Sequence, residues 1–317
     1  HAREYLESAL VLADLDPVSG LRAAELLRTH FPDWRERRVV WVHAFADEVL
    51  RENRAWRFQL RLAWLSVSQA LEPLLGVRFA VASLGTFRSE GAGFDLAPIL
   101  AAGLRQNPAP PQQGLVAFFT GRPSPRAAGD WRLGQAELLG RVLAVRLARG
   151  EVASRVLAHE ILHLYGAVHV ALMNPAGQSL ALDPWNAAIV AATRGRTFGP
   201  GGIEANVLAH ADLAAMIAAY RAALGANVAM RNAGVADALE AGGGSARAAA
   251  PQARVAMQLD EHLGDVANLV AQLLMRDGRP AAAAQAWENA ARLYGPATPR
   301  GRRALQDARA LARMRGR

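Results

Sequence analysis

The chain has 317 residues, 52% of them hydrophobic and 20% charged, with a net charge of +8 and no cysteine. That length admits two modest domains, and the balance suits a chain that buries a core rather than a disordered one. The lack of cysteine excludes disulfides and thiolate metal sites, and no apolar run reaches the roughly 18 residues a membrane-spanning helix needs.

Residues 3–31 alternate helical patches with breakers; Asp16-Pro17 starts a turn and Ser19-Gly20 precedes a helical run to Leu27. We read 1–36 as a helical N-terminal extension. Arg38–Phe45 combines β-branched and aromatic residues in a short run, a strand signal. Leu60, Trp64, Val67 and Leu71 recur at three-to-four spacing and predict an amphipathic helix over Trp56–Leu75, ended by Gly76. Further strands are expected at Arg78–Leu84 and Gly114–Thr120, with the proline-containing span between them mostly loop. Leu138–Leu147 alternates and predicts another strand.

Residues 159–169 then read His159-Glu160-Ile161-Leu162-His163-Leu164-Tyr165-Gly166-Ala167-Val168-His169, an H-E-x-x-H-x-x-G-x-x-H string. On a helix over Val152–Tyr165, His159 and His163 lie one turn apart on one face, about 6 Å along the axis, so both imidazoles can reach one ion. Continued helix would carry His169 about 15 Å from His159, whereas zinc needs every ligand nitrogen at about 2.0–2.1 Å. The helix must therefore end and the chain turn back. Gly166 stands where that happens, and glycine reaches positive φ without a Cβ clash. Three histidine ligands leave a fourth position for water, the pattern of catalytic Zn2+. Glu160, beside the first ligand, is placed to take that water's proton as general base. The plain alternative is a helix whose two histidines are merely packed or solvated; Gly166 and His169 in register weigh against it.

Beyond the string, Asp183-Pro184 opens a helix from Trp185 to about Arg194. Another is expected over Ile203–Leu224. His43 and His210 are read as packed or surface residues rather than ligands. Residues 226–252, rich in alanine and glycine with Gly242-Gly243-Gly244-Ser245, read as a linker. Val266–Pro296 contains two helical runs around Gly278, with Ala283, Trp287 and Ala290 on the second. It resembles one tetratricopeptide repeat, with a simple αα-hairpin as the alternative; either must stack on neighbouring helices or on a partner to bury its faces. Residues 253–317 thus form a helical module. Its last stretch carries seven arginines (300, 302, 303, 309, 313, 315 and 317) against Asp307. We read it as a solvated face or tail, since no interleaved aromatics favour nucleic acid.

The 159–169 string is similar to the signature of the metzincin clan of zinc metallopeptidases. Ala171-Leu172-Met173-Asn174-Pro175 resembles the A-L-M-x-P Met-turn of the matrixins in that clan, although it follows His169 at a shorter interval. The resemblance implies His159, His163 and His169 as ligands, Glu160 as base, and Met173 as the floor beneath the metal. It implies an α+β fold, a mixed twisted sheet with a long helix and a zinc helix over 37–225, followed by the all-α module. It also implies that the strand over 138–147 forms the cleft edge and pairs with an extended peptide; an interior strand is the alternative. No cysteine is available for cysteine-switch latency.

The expected function is zinc-dependent endopeptidase action, with a zinc-bound water activated by Glu160. Two alternatives stand beside it: a helical binding or scaffold protein with a silent zinc domain, and a zinc aminopeptidase. The expected partners are a peptide or protein substrate and a protein docked on the C-terminal helices, with no nucleic acid and no membrane span. Alanine-rich composition with arginine as the only basic type points to a GC-rich bacterial coding sequence. The sequence begins with His1 rather than methionine, which we read as removal of a signal peptide, a leader or a tag. The compartment stays open; the resemblance leans towards export.

Overall fold

A computed structural model describes residues 1–34, 38–93, 95–108, 114–123, 133–147, 151–168, 182–209, 211–226 and 263–315. The chain forms two compact units, His1–Gly166 with Arg194–His210, and Ala167–Thr193 with Ala211–Arg317. Among the described residues no helix is long and apolar enough to cross a membrane.

Among the described residues, the first unit is built on a five-stranded sheet in the order β2-β1-β3-β5-β4. Its strands are β1 (Arg38–Ala46), β2 (Val77–Thr86), β3 (Leu115–Thr120), β4 (Gly134–Ala136) and β5 (Val142–Arg146). The first three and β5 run parallel; β4 pairs antiparallel with β5 and stands at the edge. Parallel neighbours need crossovers, and helices supply them. A short helix α3 (Glu48–Arg51) and the long helix α4 (Trp56–Leu75) join β1 to β2, and α5 (Leu96–Gln106) joins β2 to β3.

Strands covered on both faces should be continuously apolar, and β3 (L-V-A-F-F-T) and β5 (V-L-A-V-R) are buried at every position. Alternation divides their side chains between the faces. Val116, Phe118, Val142 and Ala144 pack with Leu96 and Ile99 of α5. Phe119 points the other way and meets Trp64 of α4 edge-on, with ring centroids 6.3 Å apart. The helix α6 (Glu151–Leu164) lies on that second side, packed on α4, β4 and β5.

The N-terminal extension is a helical hairpin, α1 (Ala2–Val11) and α2 (Pro17–His30). Asp16 caps α2 by accepting from the Ser19 N–H at 3.2 Å, and Pro17 occupies the first turn, where no N–H is needed. The hairpin and the short turn after it, Pro32–Trp34, bury Leu10, Leu27 and Trp34 against Ala80 of β2. Arg61 of α4 grips Asp14 through two bonds of 2.9 and 2.6 Å.

Three predicted elements need correction. The span between β2 and β3 was expected to be mostly loop and contains α5; Pro98 sits in its first turn and breaks nothing there. The strand expected over 138–147 begins only at Val142, since 137–140 form a turn, and it is interior, paired to both β3 and β4. The cleft-edge role cannot fall to it, because both its edges are occupied; the edge strand is β4. The helix expected over Ile203–Leu224 is broken. A short π-helical turn covers Glu204–Leu208, and a new helix starts after Asp212, whose carboxylate caps the Ala215 N–H at 3.0 Å.

In the second unit α7 (Pro184–Thr193) and α8 (213–226) precede α9 (Leu263–Arg276), α10 (Pro280–Tyr294) and α11 (Pro299–Arg315). Gly278 links α9 to α10. Ala267, Ala290, Ala291 and Ala304 form a small core that Leu224, Trp287 and Tyr294 cover. The hairpin therefore stacks on α11 and on α8, as an αα-hairpin needing neighbours must. Residues 227–252, most of the expected linker, lie outside the described residues. A mixed sheet flanked by helices, followed by helices alone, is compatible with the α+β class.

Candidate metal and catalytic site

Helix α6 is anchored by Leu157, Ile161 and Leu164, all fully buried. Its end is well satisfied. The Tyr165 N–H donates to Ile161 O at 3.1 Å, and Gly166, at φ 88, donates to His163 O at 2.8 Å. A second donor reaches His163 O from outside the helix, the Leu139 N–H at 3.1 Å. The guanidinium of Arg196 donates to Leu164 O, placing a fixed positive charge at the negative end of the helix dipole. Four groups thus occupy carbonyls that a helix terminus leaves without partners. Beside them Tyr165 is fully buried, and burial pushes its phenol up to about 12, against the opposing fields of Arg38 and Arg196.

One turn back, the ring nitrogens of His159 and His163 converge. Their Nε2 atoms are 3.1 Å apart, and the rings stand at 90° with centroids 4.6 Å apart. Tetrahedral zinc with Zn–N bonds of about 2.0–2.1 Å would hold two ligand nitrogens about 3.3–3.4 Å apart. The observed pair needs a shift of only a few tenths of an ångström to share an ion, and two imidazoles suit zinc chemically. The same spacing suits an N–H···N bond between neutral rings. Both arrangements aim the two nitrogens at one point.

Glu160 is 5% exposed, and its carboxylate lies against β4. A β-carbon built at Gly134 would fall 2.3 Å from Glu160 Oε1 and 2.5 Å from its Cγ. The expected base therefore borders the edge strand. His169 and Met173 lie outside the described residues. Among the described residues no group of three or more His, Asp or Glu side chains is gathered around one point.

The backbone just before His169 is held tightly. Asn186, fully buried at the start of α7, accepts from the Val168 N–H at 2.8 Å and donates to Val168 O at 2.8 Å. Asp183 in turn accepts from the Asn186 backbone at 2.9 Å and from its side-chain amide at 2.7 Å. Sequence reasoning found Asp183 as a helix start but not this clamp, because an asparagine inside a helix carries no signal of its distant partner. It also missed Gly134, Leu139 and Arg196, which act through tertiary packing. His43 is half-buried with Nδ1 2.9 Å from Ser83 Oγ; burial, then the nearby Arg141, hold its pKa below the usual range. His210 lies outside the described residues.

No protein-family model matches the chain, and no curated protein matches its sequence. Among the solved structures that overlap the chain, two do so as follows. A chain from the structure of a chaperone–substrate complex matches 43% of this chain and 24% of its own, at 13% identity and a TM-score of 0.35. This chain thus spans about a quarter of that one. Archaemetzincin from Methanopyrus kandleri matches over 48% of this chain and 84% of its own, at 16% identity and a TM-score of 0.33. Superpositions this loose assign the chain to neither group.

Proposed function

We propose that the chain is a zinc-dependent endopeptidase of metzincin type. The observation that carries the reading is the convergence of His159 and His163 at 3.1 Å on a helix whose intervening Glu160 is buried beside an edge strand. His159, His163 and His169 would hold the metal, with Met173 beneath it. When bound, zinc supplies Lewis-acid polarisation of a carbonyl and acidifies water. Glu160 would accept the proton of the attacking water on a carboxylate oxygen and pass it to the departing amine. Burial favours that exchange, since it excludes bulk water from competing for the proton.

Substrate binding would fall to β4. One side of that strand is paired to β5, and its other side is the edge of the sheet among the described residues. An extended peptide can add there through main-chain hydrogen bonds, which give affinity with little demand on side-chain identity. An internal peptide bond laid along β4 would pass the Glu160 carboxylate, which favours endopeptidase over aminopeptidase action. The C-terminal helices would serve a protein partner.

The test is cleavage of an end-blocked peptide library read by mass spectrometry, with and without a chelator. Internal cuts that stop with chelator, and that Glu160→Ala abolishes while its zinc content persists, support the reading. Cleavage by Glu160→Ala at the native rate would sink it. Cleavage only of peptides with free amines would point to an aminopeptidase, and none at all to a binding protein.

A further inference from the structure

We infer that Gly134 is a positioning residue for Glu160: the absent side chain at 134 makes the space in which the carboxylate sits. The inference rests on the catalytic role proposed for Glu160.

Three atoms of one side chain, Oε1, Cδ and Cγ of Glu160, would lie 2.3, 2.6 and 2.5 Å from a β-carbon at 134. Heavy atoms in van der Waals contact stand about 3.5–4.0 Å apart, so a methyl group and the carboxylate cannot share this volume. Gly134 is not required for its backbone, because its φ lies outside the left-handed region and it occupies a regular strand. What it provides is room.

Neither backbone is placed to yield. Gly134 pairs with Val145, and the Arg146 N–H donates to Leu133 O at 2.8 Å, which pins β4 on both sides of the glycine. On the other side Leu157, Ile161 and Leu162, all fully buried, hold α6 against the sheet. The yielding part is the Glu160 side chain itself. Displacing a reacting group by about 1 Å can cost about 10²-fold in rate.

Gly134→Ala is therefore expected to fold, to bind zinc as the wild type does, and to lose roughly 10- to 100-fold in kcat with KM within about threefold. Glu160→Asp, whose carboxylate is one methylene shorter, should blunt the effect, so that adding Gly134→Ala to it costs less than about threefold. Wild-type kcat in Gly134→Ala would overturn the inference, whereas native activity in Glu160→Ala would overturn the catalytic reading instead. A thermodynamic cycle tests the contact without any activity. Gly134→Ala should lower the melting temperature of the wild type and not that of Glu160→Ala, where the colliding atoms are gone. Equal shifts in both backgrounds would show that residue 134 and the Glu160 side chain do not compete for space.

Discussion

The backbone N–H of Leu139 donates to the carbonyl of His163, 3.1 Å away, and so fastens the β4–β5 turn to the helix that carries the histidine pair. Leu139 makes this bond from φ 57, a conformation that costs a branched residue roughly 1–2 kcal/mol, while its side chain is 1% exposed. The strain persists because burial of the leucine outweighs it.

That balance predicts the sign of one substitution. Leu139→Gly relieves the backbone by about 1 kcal/mol but loses a buried side chain, a loss of about 2–5 kcal/mol in large-to-small changes. Denaturant unfolding should show a net destabilisation of about 1–4 kcal/mol. An increase in stability would mean that the turn is held by its backbone alone.

Asn186→Leu removes three hydrogen bonds at once, two to Val168 and one to Asp183, in a fully buried site. The Asn186 backbone bond to Asp183 survives, and both Val168 backbone groups and one Asp183 oxygen lose their partner. Each unsatisfied buried group costs about 1–3 kcal/mol, so the variant should lose at least about 3 kcal/mol on unfolding. Asn186→Asp restores only acceptors and should also destabilise. A neutral Asn186→Leu would show that the clamp contributes nothing net.

The parts legible in sequence were those dictated by local pattern. Helix α4 runs over Trp56–Leu75, because its apolar positions repeat at helical spacing and Gly76 follows, capping it at φ 64. β1 and β3 were likewise visible as dense β-branched and aromatic runs. The closeness of His159 and His163 follows from helix geometry once the helix is granted. What stayed hidden depends on contacts distant in the chain. Nothing in Gly134-Gln135-Ala136 marks an edge strand, because three residues are too few for a period and the partner, β5, supplies the pairing. Helix α5 was hidden behind Pro98, read as a breaker although a proline is tolerated in the first turn.

A second buried network makes stability depend on pH. At the carboxyl ends of β1 and β3, Asp47 accepts from Leu50 N at 2.8 Å, Gly121 N at 3.1 Å and Ser89 Oγ at 3.0 Å, and Thr120 Oγ1 donates to it as well. Its neighbour Glu48 pairs with Arg122 at 2.7 Å. Burial alone would raise the Glu48 pKa; bonds from the Ser89 N–H, its own N–H, Arg122 and the Ser89 hydroxyl outweigh it and bring the value from 4.5 to about 2. A depressed carboxylate pKa stabilises the fold above the unfolded value and loses that contribution as pH falls through the folded one. Between about pH 5 and 2 the chain should lose on the order of 1–2 kcal/mol from this group, after allowance for its partial exposure. Glu48→Gln should flatten that part of the stability-versus-pH curve; an unchanged slope would assign the acid sensitivity to other groups.

The most direct measurement is zinc X-ray absorption on the zinc-loaded protein, with metal content by elemental analysis. Our reading predicts one zinc per chain with three imidazole nitrogens at about 2.0–2.1 Å, and loss of one of those nitrogens, or of the metal itself, in each of His159→Ala, His163→Ala and His169→Ala. A chain that takes up no zinc, or holds it without the nitrogens of His159 and His163, would contradict it.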